Sequence, residues 1–300
     1  MMSTEGDGFT EHRVELSAGP VRYREAGDAG DGGDTGTILF VHGWGVNGTL
    51  WTETAERLAA AGHRCIVPDL PFGAHREPMR PDADLSPTGA AAIVAELIRS
   101  LGIEGATVVA NDSGGAVSQI LVTEHPGLAG RLVLTNCDAL EKFPPGVFKL
   151  LVKGLRVPGF MHVLANSLRL RANQVSPLAF GSLSRERIPN ELLDSWVRPP
   201  IESLEIRRDS RKFGSGCDPK YTLAAAERLP EVEIPVLLAW GEDDRLFTID
   251  LAERLDALLP NSRIVRIPNS RTFVSIDEPQ RLAEEVGAFV SKPGAVAEPA

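Results

Sequence analysis

Hydrophobic and polar positions alternate along this chain in two distinct rhythms. Val14–Leu16 and Val21–Arg24 alternate apolar with polar and predict two short antiparallel strands. The Gly/Asp-rich stretch 26–36 that follows offers nothing to pack. Thr37–Val41 is then continuously apolar, the signature of a strand buried on both faces in the middle of a parallel sheet. From there helical and strand patterns take turns. A helix is expected over Leu50–Ala61, a strand over His63–Pro68, a helix over Ser86–Leu101 and a strand over Ala106–Ala110. A helix over Gly115–His125 and a strand over Arg131–Thr135 continue the series.

After Asp138 the alternation stops. Residues 139–222 are punctuated by proline, helix-prone and without a convincing strand. The rhythm resumes with Val236–Trp240, a helix over Ile249–Leu259, the strand Arg263–Ile267 and a closing helix over Glu278–Val290. The pattern predicts an α/β fold, a mostly parallel sheet with helices on both faces. Its core is residues 10–138 and 223–291, 139–222 forms a helical lid at the strand ends where ligands bind, and 292–300 is a frayed tail. No internal repeat is present.

Composition removes several classes of partner. Asp plus Glu number 41 against 31 Lys plus Arg, a formal charge of −10, which argues against nucleic acid and anionic membranes as partners. No apolar run reaches the 18 or so residues of a membrane span, and the first residues lack a signal-peptide layout. Three widely spaced cysteines, Cys65, Cys137 and Cys217, suit reduced thiols and a cytoplasmic location. The insertion differs from the rest: between 139 and 222 it has 14 Lys/Arg, 8 Asp/Glu and seven of the 17 aromatic residues. It is either a basic lid seated by aromatic packing on an acidic base, or an apolar pocket roof that attracts an anionic substrate.

The chemistry concentrates where Ala106–Ala110 runs through Asn111, Asp112, Ser113 and Gly114 into a helix. A side chain at the apex of such a turn is strained and exposed, and the turn needs small residues two places to either side. Asp112 has Ala110 and Gly114 there; Ser113 would have Asn111 and Gly115, a poorer fit. Asp112 could also serve simply as the helix N-cap. Neither a Walker loop nor a dinucleotide-binding glycine pattern is present, and the Cys/His spacings match no zinc site.

Taken together, FVHGWG after the third strand, the NDSGG turn, the insertion and WGEDD after the next-to-last strand resemble the α/β-hydrolase fold, from about Val14 to Ser291. An acid at the turn is similar to epoxide hydrolases and haloalkane dehalogenases. The resemblance implies Asp112 as nucleophile, an ester intermediate and a water activated by a histidine. It implies an oxyanion hole from the N–H groups of Trp44 and Ser113, with His42 part of the same turn at the pocket wall. Asp244 takes the place of the acid that orients the histidine, with Asp243 a solvated neighbour. The fold needs no cofactor and no metal, and the partner implied is a small-molecule substrate.

The histidine itself is missing. The family pattern close to I-P-x-S-x-H-F reads here Ile267-Pro268-Asn269-Ser270-Arg271-Thr272-Phe273, so Thr272 sits where the imidazole belongs and cannot act as a base. Arg271 could pair with Asp244 instead. His75, on the loop after the fourth strand, and His162, in the insertion, are the candidate substitutes; His12, His63 and His125 read as structural or solvated. Asp138 and Glu141 gather at the same sheet end as Asp112, and Asp138 is read as a pocket residue, an orienting acid or a cap. Without an imidazole between them these carboxylates repel, which raises one pKa. Dehalogenases place a Trp where Ser113 stands and an Asn where Trp44 stands. Epoxide hydrolases use two lid tyrosines, and only Tyr221 lies in the insertion. The expected function is hydrolysis of a small, largely apolar organic substrate through Asp112. The alternatives are a lyase, isomerase or cyclase using Asp112 as acid/base, and a ligand-binding protein on a retired scaffold.

Overall fold

In the computed structural model, residues 8–28 and 36–291 are described. The expected tail 292–300 and most of the Gly/Asp-rich stretch lie outside them. One sheet runs through the molecule, built from β1 (Phe9–Leu16), β2 (Gly19–Ala26), β3 (Thr37–Val41), β4 (Arg64–Pro68), β5 (Ala106–Asp112), β6 (Ala129–Cys137), β7 (Val236–Gly241) and β8 (Ser262–Ile267). Their order is β1-β2-β4-β3-β5-β6-β7-β8. β1, β2 and β4 pair antiparallel, and every other neighbouring pair is parallel. β3 and β7, buried along their whole length, carry continuous apolar runs, whereas the edge strand β8 is half-buried over Ser262–Val265, exposed at Arg266 and buried only at Ile267.

The helices follow the expected beat. α1 (Thr52–Ala60) is preceded by a 3-10 turn, Gly48–Trp51, whose first N–H groups are met by side chains, Gly48 N–H by Asp69 Oδ1 and Thr49 N–H by Asn47 Oδ1. α2 (Pro87–Leu101) starts at Ser86, whose hydroxyl accepts from Gly89 N–H, and stops at Gly102 in the left-handed region (φ 61°). α3 (Ser113–Glu124) follows β5 without a break. α10 (Ile249–Asp256), α11 (Val274–Asp277) and α12 (Pro279–Val290) come last in the chain and complete the packing around the sheet.

Between β6 and β7 the chain is helical: α4 (Lys149–Gly154), α5 (Phe160–Ser167), α6 (Arg171–Gln174), α7 (Asn190–Glu202), α8 (Leu204–Gly216) and α9 (Pro219–Arg228). Apart from one bridge, Ala139 with Lys142, this segment makes no strand pairing among the described residues. α9 runs through position 222 and packs on α3, so a helix rather than a loop spans the expected junction with the core.

The segment is fastened to the rest of the protein unevenly. α7 is held by Trp196 Nε1–H to Thr49 Oγ1 (2.9 Å) and Asn47 Nδ2 to Ser195 O (3.3 Å). α8 is held by Trp44 Nε1–H to Ser210 Oγ (3.0 Å), Met79 N–H to Asp209 (2.8 Å) and Lys212 to the carbonyls of Pro81 and Ala83. Among the described residues the side-chain hydrogen bonds of α4, α5 and α6 reach only other parts of the same segment, such as Arg171 to Asp194 and His162 to Arg207. Leu150, Val163 and Leu178 stay exposed on that side.

Candidate active site

Asp112 stands at the tip of β5 with φ 51° and ψ −134°, a region costly for any residue with a Cβ. Three glycines make room for it. A Cβ on Gly43 would lie 2.2 Å from Asp112 Oδ2, one on Gly114 would lie 2.4 Å from His42 O, and one on Gly115 would lie 2.3 Å from Cys137 Cβ. The strained residue is therefore Asp112 and not Ser113. Asp112 precedes the first turn of α3, yet its side chain makes no capping bond, so capping does not account for it.

Three carboxyl groups collect at this end of the sheet without a cation among them. Asp112 is half-buried, and desolvation raises its pKa to about 6. The N–H groups of Ser113 and Trp44 pull it down, while the charge of Asp244 pushes it up. Asp138 follows β6, and its N–H donates to Asp112 O (3.2 Å), which fixes the two residues side by side. Its carboxyl is raised well above the ordinary range by burial and by Asp112, and its Oδ1 is buried without a hydrogen-bond partner. Asp244 is also raised by burial, but its oxygens are satisfied. Oδ1 accepts from Leu246 and Phe247 N–H (2.8 and 3.3 Å), and Oδ2 from Thr272 Oγ1 (2.8 Å).

Several expected site residues take other places. Thr272 occupies the imidazole's position in the chain, but it is fully buried behind Asp244 and does not line the cavity. Arg271 does not pair with Asp244; its guanidinium turns to Ser184 O (3.2 Å), and Asp243 pairs with Arg185. His75 is withdrawn from the site. It is 1% exposed, its Nε2 meets Asp209 Oδ2 at 3.3 Å and its Nδ1 accepts from Gly73 N–H. His42 is a structural part of its turn: Nε2 accepts from Leu70 N–H (2.9 Å), Nδ1 faces Gly43 O, and burial lowers its pKa to about 4. Neither His42 nor Tyr221 lines the cavity, and Tyr221 packs beneath the Lys220 ammonium. His162 is bonded to Asn166 and Arg207 on the outside of the helical segment, and Glu141 is held by Arg254 at 2.7 Å.

Above Asp112 lies a cavity with about 990 Å³ of empty space, part of it open to solvent. Its floor is Asp112, Ser113, Asp138 and Trp44; its walls include Leu151, Leu164, Phe180 and Trp196 from the helical segment. Among the described residues no Lys, Arg or His lines it, so the expectation of a roof that attracts anions finds no support in its lining. The N–H of Trp44 donates to Ser113 Oγ at 2.7 Å, so the serine hydroxyl occupies the donor expected to hold an oxyanion. Among the described residues no three His, Cys, Asp or Glu side chains come together to hold a metal ion.

Two asparagines that sequence reasoning passed over hold the strand ends in register. Asn111 Nδ2 donates to Thr135 Oγ1, Asn136 O and Thr272 O (2.9, 3.0 and 2.6 Å). Asn136 bonds both N–H and C=O of Gly241 and the carbonyl of Phe247. Their sequence signal is an amide at the carboxyl end of an otherwise apolar strand.

Over residues 36–279 the chain matches the family described as alpha/beta hydrolase fold. An uncharacterized protein of Mycobacterium tuberculosis is 28% identical, over 84% of this chain and 74% of its own length. A 2-hydroxy-6-oxononadienedioate/2-hydroxy-6-oxononatrienedioate hydrolase of Cupriavidus pinatubonensis is 25% identical, over 87% of this chain and 84% of its own. In structure, a haloalkane dehalogenase from Bradyrhizobium elkani superposes with a TM-score of 0.76 at 22% identity, covering 94% of this chain and 98% of that one.

Proposed function

The chain belongs to the α/β-hydrolase fold family, and from that premise we propose that it hydrolyses a neutral, largely apolar small molecule through an ester formed on Asp112. One observation carries the reading. Asp112 is held at a strained turn on the floor of an apolar cavity whose lining, among the described residues, contains no cation. Strain aims the carboxylate and keeps it from pairing elsewhere. With a pKa near 6 it is mostly ionised at neutral pH, yet poorly solvated, which favours attack on an electrophilic carbon. The helical segment 139–222 is the lid in this reading, and it excludes water from the reacting atoms. The N–H groups of Ser113 and Trp44 stabilise charge on the ester carbonyl once the Ser113 hydroxyl moves aside.

The same lining sets the substrate apart from that of the named relative. A dioate carries two negative charges, and this cavity offers it two carboxyl groups and no Arg or Lys. A second reading rests on Thr272. Because no imidazole adjoins Asp112, the site suits a lyase, isomerase or cyclase in which the carboxyl groups move protons without forming an ester.

Incubation with styrene oxide, 1-bromohexane and 4-nitrophenyl butyrate, followed by intact mass and product release, separates the two. An adduct of one substrate mass, or released product, that is absent in Asp112→Asn is expected. Neither adduct nor product from any probe overturns the nucleophile and leaves the second reading.

A further inference from the structure

We propose that Asp138 takes over the proton transfers of the missing histidine, as acid in ester formation and as base in ester hydrolysis. The assignment rests on the reading of Asp112 as nucleophile and goes beyond it, because that reading names no group to free the ester. Three features of the geometry carry it. Asp138 lines the cavity beside Asp112, held there by its own N–H on Asp112 O. Its side chain is 3% exposed, and Oδ1 is buried without a partner, although buried carboxyl oxygens are normally satisfied. Among the described residues no Lys, Arg or His lines the same cavity, and the one further titratable group in the lining, the Cys217 thiol, is pushed by burial and by Asp138 and Asp112 well above its ordinary range, away from proton transfer near neutral pH.

The proton ledger closes with these two residues. At rest Asp112 is ionised and Asp138, desolvated and facing a like charge, keeps its proton. On an epoxide, an Asp112 oxygen bonds to a ring carbon, the ring C–O bond breaks, and the oxygen leaving that carbon takes the Asp138 proton. Asp138, now a carboxylate beside a neutral ester, removes a proton from water, and the water oxygen bonds to Asp112 Cγ. The tetrahedral intermediate expels the diol as an alkoxide, which takes the proton carried by the newly added oxygen. Asp112 is again ionised, Asp138 again protonated, and one water has been consumed. The sequence is that of a retaining two-carboxyl site, in which one residue serves as acid and then as base.

The two steps can be read apart with two probes. Styrene oxide needs a proton on its leaving oxygen; 1-bromohexane releases bromide and needs none, and on that route Asp138 gives its proton to solvent once esterification has removed the neighbouring Asp112 charge, which leaves it a carboxylate able to act as base. Asp138→Asn has nearly the same shape, and its folding is checked by thermal unfolding beside Asp138→Leu. The Asn variant should form the bromohexane adduct at close to the wild-type rate and keep it, with breakdown slower by roughly 10²–10⁴-fold. Its adduct formation with styrene oxide should fall by a comparable factor, and Asp138→Glu should restore part of both. Equal loss with both probes in a folded Asn variant, or wild-type breakdown of the adduct, overturns the assignment.

Infrared spectroscopy tests the resting proton without substrate. A protonated-carboxyl band at neutral pH, absent from Asp138→Asn, is expected. Its absence in the wild type overturns the acid role even if hydrolysis through Asp112 holds. If the band is present but no probe gives adduct or product, the Asp112 reading fails and the assignment fails with it.

Discussion

Thr272 Oγ1 donates to Asp244 Oδ2 at 2.8 Å, so the acid that would orient an imidazole is spent on a hydroxyl. The bond satisfies Asp244 and leaves it buried behind the site rather than in it. A threonine hydroxyl neither ionises nor takes up a proton near neutral pH, so the pair can hold structure but cannot relay charge. What remains in contact with the cavity is Asp112 with Asp138, two acids of raised pKa.

These acids should make the protein less stable as pH rises. A carboxyl whose folded pKa is raised is fully accommodated below the ordinary carboxylate range, and that accommodation is lost as pH climbs through the folded value. For Asp112 the window runs from the ordinary value up to about 6. Asp112→Asn should therefore match the wild type in urea near pH 4 and exceed it by on the order of 2–3 kcal/mol at pH 7.5. A constant difference across that range would show that Asp112 titrates normally.

Ser113→Ala should release the Trp44 N–H that now donates to the serine hydroxyl. The Trp44 N–H, now shared between the serine hydroxyl and Asp112, would then serve Asp112 alone, so the carboxyl pKa should fall below about 6 and the rising limb of adduct formation against pH should move down with it. Ester breakdown should speed up by a few-fold. An unmoved limb and slower breakdown would mean that the hydroxyl itself serves the reaction.

His75→Ala should cost stability and spare chemistry. Asp209, 0% exposed, would keep Met79 N–H and Arg208 but lose the ring. The loss should be about 1–3 kcal/mol in unfolding free energy, with the pH profile of turnover unchanged. A shifted profile in a folded variant would return His75 to the site.

Charge should decide which ligands enter. A neutral six- to eight-carbon ester or epoxide should raise the melting temperature, while the same molecule ending in a carboxylate should bind at least about tenfold more weakly, since it meets carboxyl groups and no cation. Tighter binding of the carboxylate would place a cation within reach of the ligand.

The alternation of apolar runs was enough to read the sheet, the helices on its faces and the helical segment between β6 and β7. The strained turn was readable from Ala110 and Gly114 around Asp112. The strands were read short, however, because β5 and β6 end in Asn111, Asp112 and Asn136, polar residues whose amide bonds to neighbouring strands carry no hydrophobic signal. His75 looked available because its loop lies at the ligand end of the sheet. Its partner Asp209 comes 134 residues later, on a helix whose seating no local pattern reveals. Arg271 misled in the same way, since the bend after β8 sends its guanidinium to Ser184.

The uneven fastening of the helices over the cavity has a mechanical consequence. α7 and α8 are pinned by directional bonds that break abruptly, so that flank is stiff. α4 and α5 meet the rest of the protein through apolar side chains, with Val152 in the core and Met161 and Ala165 against Trp44, and such contacts slide with little loss before they part. The roof is thus a cantilever, rigid at one flank and compliant at the other. The compliant flank carries Phe148, Leu151 and Leu164, the side chains a bulkier guest would press against first.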